Sequence, residues 1–284
     1  MRRRRGEFEK AVALDGRNNE AFVGLGNAYA ELKQYDKAEA TYRKAISLRP
    51  GDWVSYKQLG SYFYKRRQYD KAIEQYGRVV ELSPDNAQGY LNLGGIQFLR
   101  EDLTQAEKNW LRALDLDPAR GTTAANLAKL YQQREQYPKA IAMYQRALES
   151  NQRSHQLWGS LGGAYVQSGD SAKAADPFAK AISLLEGEAL VNAQRADLHS
   201  NLAFYRAAAG RRDFERPLQR ALQLAPEDAG VRIRAAETWM LAGDSVRALA
   251  SAQAGIARGY SISQVKRSSQ LRSLADQLKP QPKP

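Results

Sequence analysis

The chain has 284 residues, and 43 lysines and arginines against 31 aspartates and glutamates leave a formal charge of +12 with both histidines neutral. It contains no cysteine, which excludes disulfide frameworks, thiolate metal or iron–sulfur sites and cysteine nucleophiles. Apolar residues at 43% and aromatics at 9% suffice for an ordered core, and no stretch reaches the roughly 18 to 20 apolar residues of a membrane-spanning helix.

The first segment, 1–18, opens on Met1-Arg2-Arg3-Arg4-Arg5-Gly6-Glu7, which lacks the apolar core of a secretory signal; the compartment stays open, with a cytoplasmic setting slightly favoured. The run Arg2–Arg5 has the charge to meet nucleic acid or an anionic membrane surface, but at a chain end it reads first as a solvated terminus. From Asn19 the chain repeats itself. Pro50, Pro84 and Pro118 are spaced by 34 residues and close similar phrases, Tyr-Arg-Lys-Ala-Ile-Ser-Leu-Arg-Pro, Tyr-Gly-Arg-Val-Val-Glu-Leu-Ser-Pro and Trp-Leu-Arg-Ala-Leu-Asp-Leu-Asp-Pro. In this register 19–188 divides into five regular units of 34: 19–52, 53–86, 87–120, 121–154 and 155–188. An insertion follows at 189–195, then two degenerate units at 196–228 and 229–262, which make up 196–262, and a tail at 263–284.

Within each unit apolar and small residues recur at helical spacing in two blocks separated by a polar or glycine-containing break, which predicts two antiparallel amphipathic helices. Leu25-Gly26, Leu59-Gly60, Leu93-Gly94, Leu127-Ala128 and Leu161-Gly162 coincide in the first block. In the second, Ala38, Ala72, Ala106, Ala140, Ala174 and Ala248 coincide, followed four residues later in the regular units by Tyr42, Tyr76, Trp110, Tyr144 and Phe178. Small beside large predicts an interdigitated interface repeated along the chain. The tail from Ile262 to Leu278, with Val265, Leu271, Leu274 and Leu278 apolar, predicts one capping helix stopped by Lys-Pro-Gln-Pro-Lys-Pro.

This pattern resembles the tetratricopeptide repeat, whose 34-residue unit has a bulky residue at position 4, Leu-Gly at 7 and 8, aromatics at 11 and 24, alanines at 20 and 27 and proline at 32. The first unit reads Phe22, Leu25, Gly26, Tyr29, Ala38, Tyr42, Ala45, Pro50; the fifth reads Trp158, Leu161, Gly162, Tyr165, Ala174, Phe178, Ala181. Gln97 departs from the aromatic at position 11, the fourth and fifth units lack the proline, and Phe214 stands where alanine is expected in the sixth. Phe8, Ala11 and Gly16 fit positions 24, 27 and 32 of a unit without its first helix, so 1–18 reads as a partial repeat, and the chain either as the C-terminal part of something longer or as starting from a misplaced initiation site. The resemblance implies an all-α fold, a right-handed superhelical solenoid of antiparallel helix pairs, acting as a non-catalytic scaffold with no cofactor and no metal. The ending, Ile256-Ala-Arg-Gly-Tyr-Ser and then Leu271-Arg-Ser-Leu274, resembles repeat arrays attached to bacterial kinases or transcription regulators, which makes a regulatory fragment the alternative.

Candidate chemistry dissolves into the repeat. His155 stands at position 1 of the fifth unit and His199 at the bulky position 4 of the sixth, neither with a partner at metal or nucleophile–base spacing. Acidic pairs such as Asp115/Asp117 and Glu227/Asp228 fall at helix ends or the turns after them, where Asp helps cap the next helix. What remains is the groove. In the family, positions 2, 5, 6, 9, 12 and 13 line the concave face, which here implies Asn27, Lys57, Gln58, Ser61, Tyr64, Lys65, Gln88, Asn92, Phe98, Asn126, Lys129, Gln132, Gln133, Gln156, Ser160 and Asn201. This surface reads as polar, amide-rich and slightly basic. Asn92, Asn126 and Asn201 share position 6: either they form an amide ladder that grips an extended peptide through its backbone, or asparagine is simply common there. Tyr64 and Phe98 at position 12 either anchor an apolar group or pack against the next helix. A carboxylate clamp of the chaperone-tail type is disfavoured, because Lys57, Ser61, Asn92, Thr122 and Asn126 match it at only two of five positions. The expected partner is a protein or peptide, an acidic segment fitting best; nucleic acid is the lesser alternative, and the degraded end repeats leave apolar edges through which chains could self-associate.

Overall fold

The computed structural model describes residues 2–279; the proline-rich stop at 280–284 lies outside the described residues. All regular structure among them is helical, and no helix there is long and apolar enough to cross a membrane. The chain divides into two compact units, Met1–Arg134 and Glu135–Pro284. The first holds α1 (Arg2–Leu14), the pairs α2 (Asn19–Glu31) with α3 (Tyr35–Leu48), α4 (Trp53–Lys65) with α5 (Tyr69–Leu82) and α6 (Ala87–Leu99) with α7 (Leu103–Leu116), and α8 (Gly121–Gln133). The second holds α9 (Tyr137–Ser150), the pairs α10 (His155–Gln167) with α11 (Ser171–Val191), α12 (Ala196–Ala208) with α13 (Glu215–Leu224) and α14 (Ala229–Leu241) with α15 (Ser245–Ala257), then α16 (Ile262–Arg267) and a 3-10 turn at Arg272–Gln277. Each unit is thus a stack of antiparallel helix pairs, as the periodicity predicts.

Four of the pairs lock through one contact. A β-carbon built on Gly26 would lie 2.7 Å from the Tyr42 ring, on Gly60 3.0 Å from Tyr76, on Gly94 2.7 Å from Trp110 and on Gly162 2.8 Å from Phe178. The position-24 ring therefore lies directly on the backbone at position 8, closer than a side chain allows, and burying such a ring contributes about 2–3 kcal/mol. Phe8 of α1 packs in a related way on Gly24. The turn inside each repeat is equally regular: position 15 is left-handed in all seven, as Lys33, Arg67, Glu101 and Glu135 (φ between 56° and 63°) and then as Gly169, Gly210 and Gly243. Asn18, Asp52, Asn86, Ser154 and Asp228 each cap the first helix of the repeat that follows by accepting from backbone N–H groups of its first turn.

Local departures from the pattern are compensated. Gln97, in the aromatic slot of the third repeat, is buried with Asn109, whose Nδ2 donates to Gln97 Oε1 at 2.7 Å. Through the insertion α11 continues to Val191, leaving Leu190 and Val191 86% and 83% exposed, and only 192–195 forms the turn. The tail departs from the single helix expected of it. On one continuous helix, at about 100° per residue, Val265 would point about 150° away from the mean direction of Leu271, Leu274 and Leu278. The chain instead ends α16 at Arg267 and turns through extended Ser268, whose Oγ donates to Glu237 Oε1 at 2.8 Å. All four apolar residues are thereby buried against Ile233, Ala236, Ala248 and Ile256.

Neighbouring glycines of α6 give a direct test of the ring-on-backbone contact. Gly94→Ala is expected to destabilise the protein by about 1–3 kcal/mol in urea unfolding. Gly95→Ala, with nothing within 4 Å of the new carbon, is expected to stabilise it by about 0.5–1 kcal/mol through helix propensity.

Candidate functional site

The groove residues of the first unit lie on α2, α4, α6 and α8, and part of them converge. A cavity of about 510 Å³ is lined by Tyr64, Gln88, Asn92, Phe98, Asn126 and Lys129, six of the residues expected in the groove. Its remaining wall is Tyr76, Leu91, Gly95, Ile96, Leu99, Trp110 and Thr122. Leu91, Gly95, Leu99 and Thr122 occupy positions 5, 9, 13 and 2, so the register itself points to them, although polarity does not. The expectation of a polar, amide-rich surface is corrected accordingly: at the third repeat its floor is apolar. Trp110 fixes that floor, donating from Nε1 to the Leu91 carbonyl at 3.1 Å with its ring 5.4 Å from Phe98. Tyr64 stands at the rim, 45% exposed.

The other expected residues are not gathered there. Asn27 Oδ1 accepts from the Tyr42 hydroxyl at 2.7 Å. The Lys57 ammonium lies 5.2 Å from the centre of the Trp53 ring. Gln58 and Gln132 are half-buried, and Lys65 and Gln133 are exposed. Gln156, Ser160 and Asn201 belong to the second unit.

The amides at position 6 are not equivalent, and the aromatic at position 24 of the preceding repeat explains the difference. Burial pushes the Tyr76 hydroxyl pKa up, and polar contacts with Ser61 and Asn92 offset part of that rise. Asn92 Oδ1 also accepts from Gln88 Nε2 at 2.8 Å, while Gln88 Oε1 accepts from Arg120 at 2.5 Å. Asn92 is therefore engaged within the fold. In the second unit burial drives the Tyr144 hydroxyl up to about 12, against a contact with Ser160 at the same position 6. Trp110 and Phe178 carry no hydroxyl, and Asn126 and Asn201, which follow them in register, make no hydrogen bond among the described residues. Lys129, one turn beyond Asn126 on α8, is exposed and has no acidic partner there.

Among the described residues no group of three or more His, Asp or Glu side chains is placed to hold a metal ion. His155 is 4% exposed with its ring 6.1 Å from that of Tyr205, and burial lowers its pKa. Arg3 and Arg5 of the basic run lie on α1 and pair with Glu7 and Glu9, each at 3.4 Å.

The network makes the two asparagines unequal in stability as well. Asn92→Ala is expected to cost about 1 kcal/mol in urea unfolding, whereas Asn126→Ala should stay within about 0.5 kcal/mol. Because the folded pKa of Tyr76 is raised, its contribution is full below the ordinary tyrosine value and is lost as pH rises through the folded one. Tyr76→Phe should therefore flatten the alkaline limb of a stability–pH profile.

Models of the tetratricopeptide repeat match residues 20–52, 85–153 and 126–189, and a TPR repeat model matches 60–99, together more than half of the chain. No curated protein matches the sequence. Among solved structures, a MamA protein is 23% identical with a TM-score of 0.57, over 61% of this chain and 95% of that one. YrrB, a TPR protein described as having an unusual peptide-binding site, is 18% identical with a TM-score of 0.54, over 62% of this chain and 91% of its own. The Cut9–Hcn1 structure, an APC/C hetero-tetramer, matches at 16% identity and a TM-score of 0.60 over 88% of this chain and 45% of that one. At these identities the likeness concerns the fold.

Proposed function

Because the chain belongs to the tetratricopeptide repeat family, a fold of protein–protein interaction scaffolds, we propose that it is a non-catalytic scaffold that captures an extended peptide segment on the α4, α6 and α8 face of its first unit. The observation that carries this reading is the cavity of about 510 Å³, where an apolar floor lies beside amides and a cation with no acidic partner of its own. A peptide needs both. Leu91, Ile96, Phe98 and Leu99 offer burial to one apolar side chain, worth about 1.5–3 kcal/mol when complete. Asn126 offers a donor and an acceptor to the peptide backbone, and Lys129 attracts a carboxylate on the same segment. The MamA and YrrB folds are compatible with such a role, and the peptide-binding description attached to YrrB supports it by analogy alone.

The test is a fluorescence-anisotropy screen of extended peptides that pair an apolar residue with acidic neighbours. Binding peptides are expected, with Asn126→Ala/Lys129→Ala weakening them about tenfold and leaving helicity and melting temperature unchanged. Lys129→Ala alone should also reduce the salt dependence. Equal affinity for wild type and double variant would place the site elsewhere.

A further inference from the structure

The second unit holds a cavity of about 530 Å³ whose lining is chemically unlike the rest of the chain: His199, Arg206, Arg216 and Arg220, with Gln219 and Gln223 beside them, and no carboxylate among the lining residues. We propose that this cavity binds a phosphate monoester.

The register shows what has changed. Across the repeats, positions 4 and 11 of the first helix are mostly aromatic, as in Trp158 and Tyr165 of the fifth repeat. Those two residues line the corresponding cavity there, of about 880 Å³, where Lys173 and Lys180 pair with Asp170 at 2.7 Å and Asp176 at 2.9 Å. In the sixth repeat the same two positions are His199 and Arg206, so nitrogen-bearing polar side chains stand where the fifth repeat has rings. The insertion closes one side: Ala193 lines the cavity and its carbonyl lies 3.0 Å from His199 Nε2, while Gln194 Oε1 accepts from Arg220 at 3.2 Å. A segment outside the repeat thus builds a wall of the site.

The charges are unequal. Arg206 is neutralised by Glu186 at 2.6 Å and Asp213 at 3.2 Å, which hold its guanidinium in place. Arg220 has only the neutral Gln194, and Arg216 has no ion pair or hydrogen bond among the described residues. Two guanidiniums are therefore left without a carboxylate at one cavity. A phosphate monoester carries roughly −1.5 to −2 charge at neutral pH with three acceptor oxygens, which suits two such forks better than a singly charged carboxylate does. The volume exceeds that of the phosphate alone, so the group carrying it enters as well.

Calorimetric titration of the full chain at about 0.15 M salt tests this with inorganic phosphate, glycerol 3-phosphate, and a Gly-Ser-Gly tripeptide with and without phosphate on the serine. Saturable binding of a phosphate monoester is expected, with the phosphotripeptide at least tenfold tighter than its serine counterpart. Arg216→Gln/Arg220→Gln should weaken it at least tenfold, Arg216→Gln alone by less, and Asn126→Ala/Lys129→Ala not at all, which separates this site from the peptide groove. Tighter binding of the phosphotripeptide than of glycerol 3-phosphate would assign the source to a phosphorylated protein segment, and the reverse order to a small organic phosphate. No saturable binding of either, or binding unaffected by both arginine variants, would overturn the proposal.

Discussion

Four of the helix pairs are built around a ring lying on a backbone. In these repeats the position-24 aromatic occupies the space that a larger residue at position 8 would need, and Gly26, Gly60, Gly94 and Gly162 leave that space open. The contact sets how closely the two helices of a repeat approach, and it recurs from repeat to repeat. A sequence that keeps it can vary most of its other positions, because those face either solvent or the adjoining repeat.

The same ring decides which groove amides are available. A tyrosine at position 24 buries its ring but must satisfy its hydroxyl, and Tyr76 does so against Ser61 and Asn92. A tryptophan satisfies its N–H on a carbonyl of its own repeat, as Trp110 does on Leu91, and leaves the following amide alone. Packing chemistry on one helix thus controls recognition chemistry on another, although neither residue need touch a ligand. This is why the asparagines at position 6 cannot be read as equal rungs.

The fold was legible because its signal is redundant: five units of 34 residues state the helix pair five times, so Gln97 or a missing proline does not obscure it. The candidate site was legible only in part. Register placed Asn92 and Asn126 on one face, but it could not show that Gln88 already occupies the carbonyl of Asn92. Leu91 and Leu99 were placed by register too, yet apolar residues at helical spacing normally signal core, and only the cavity distinguishes them. The tail failed for a different reason. Val265, Leu271, Leu274 and Leu278 are all apolar and close in sequence, which suggests one helix, whereas their burial in one cluster requires the helix to break at Ser268.

Departures from a repeat carry more information than its matches. Within the pattern a residue is explained by the contact it makes in every unit, so a substitution that keeps the fold while discarding that contact needs another account. Gln97 has one in Asn109. Arg206 has a partial one in Glu186 and Asp213, which balance its charge but do not explain why an aromatic slot should hold a cation. Arg216 stands at a variable, exposed position of the repeat, and it lines the same cavity that the insertion walls. An isolated basic residue on a surface is ordinary; three arginines and a histidine lining one cavity, two of the arginines without carboxylate partners, retain an electrostatic cost that an anion would relieve.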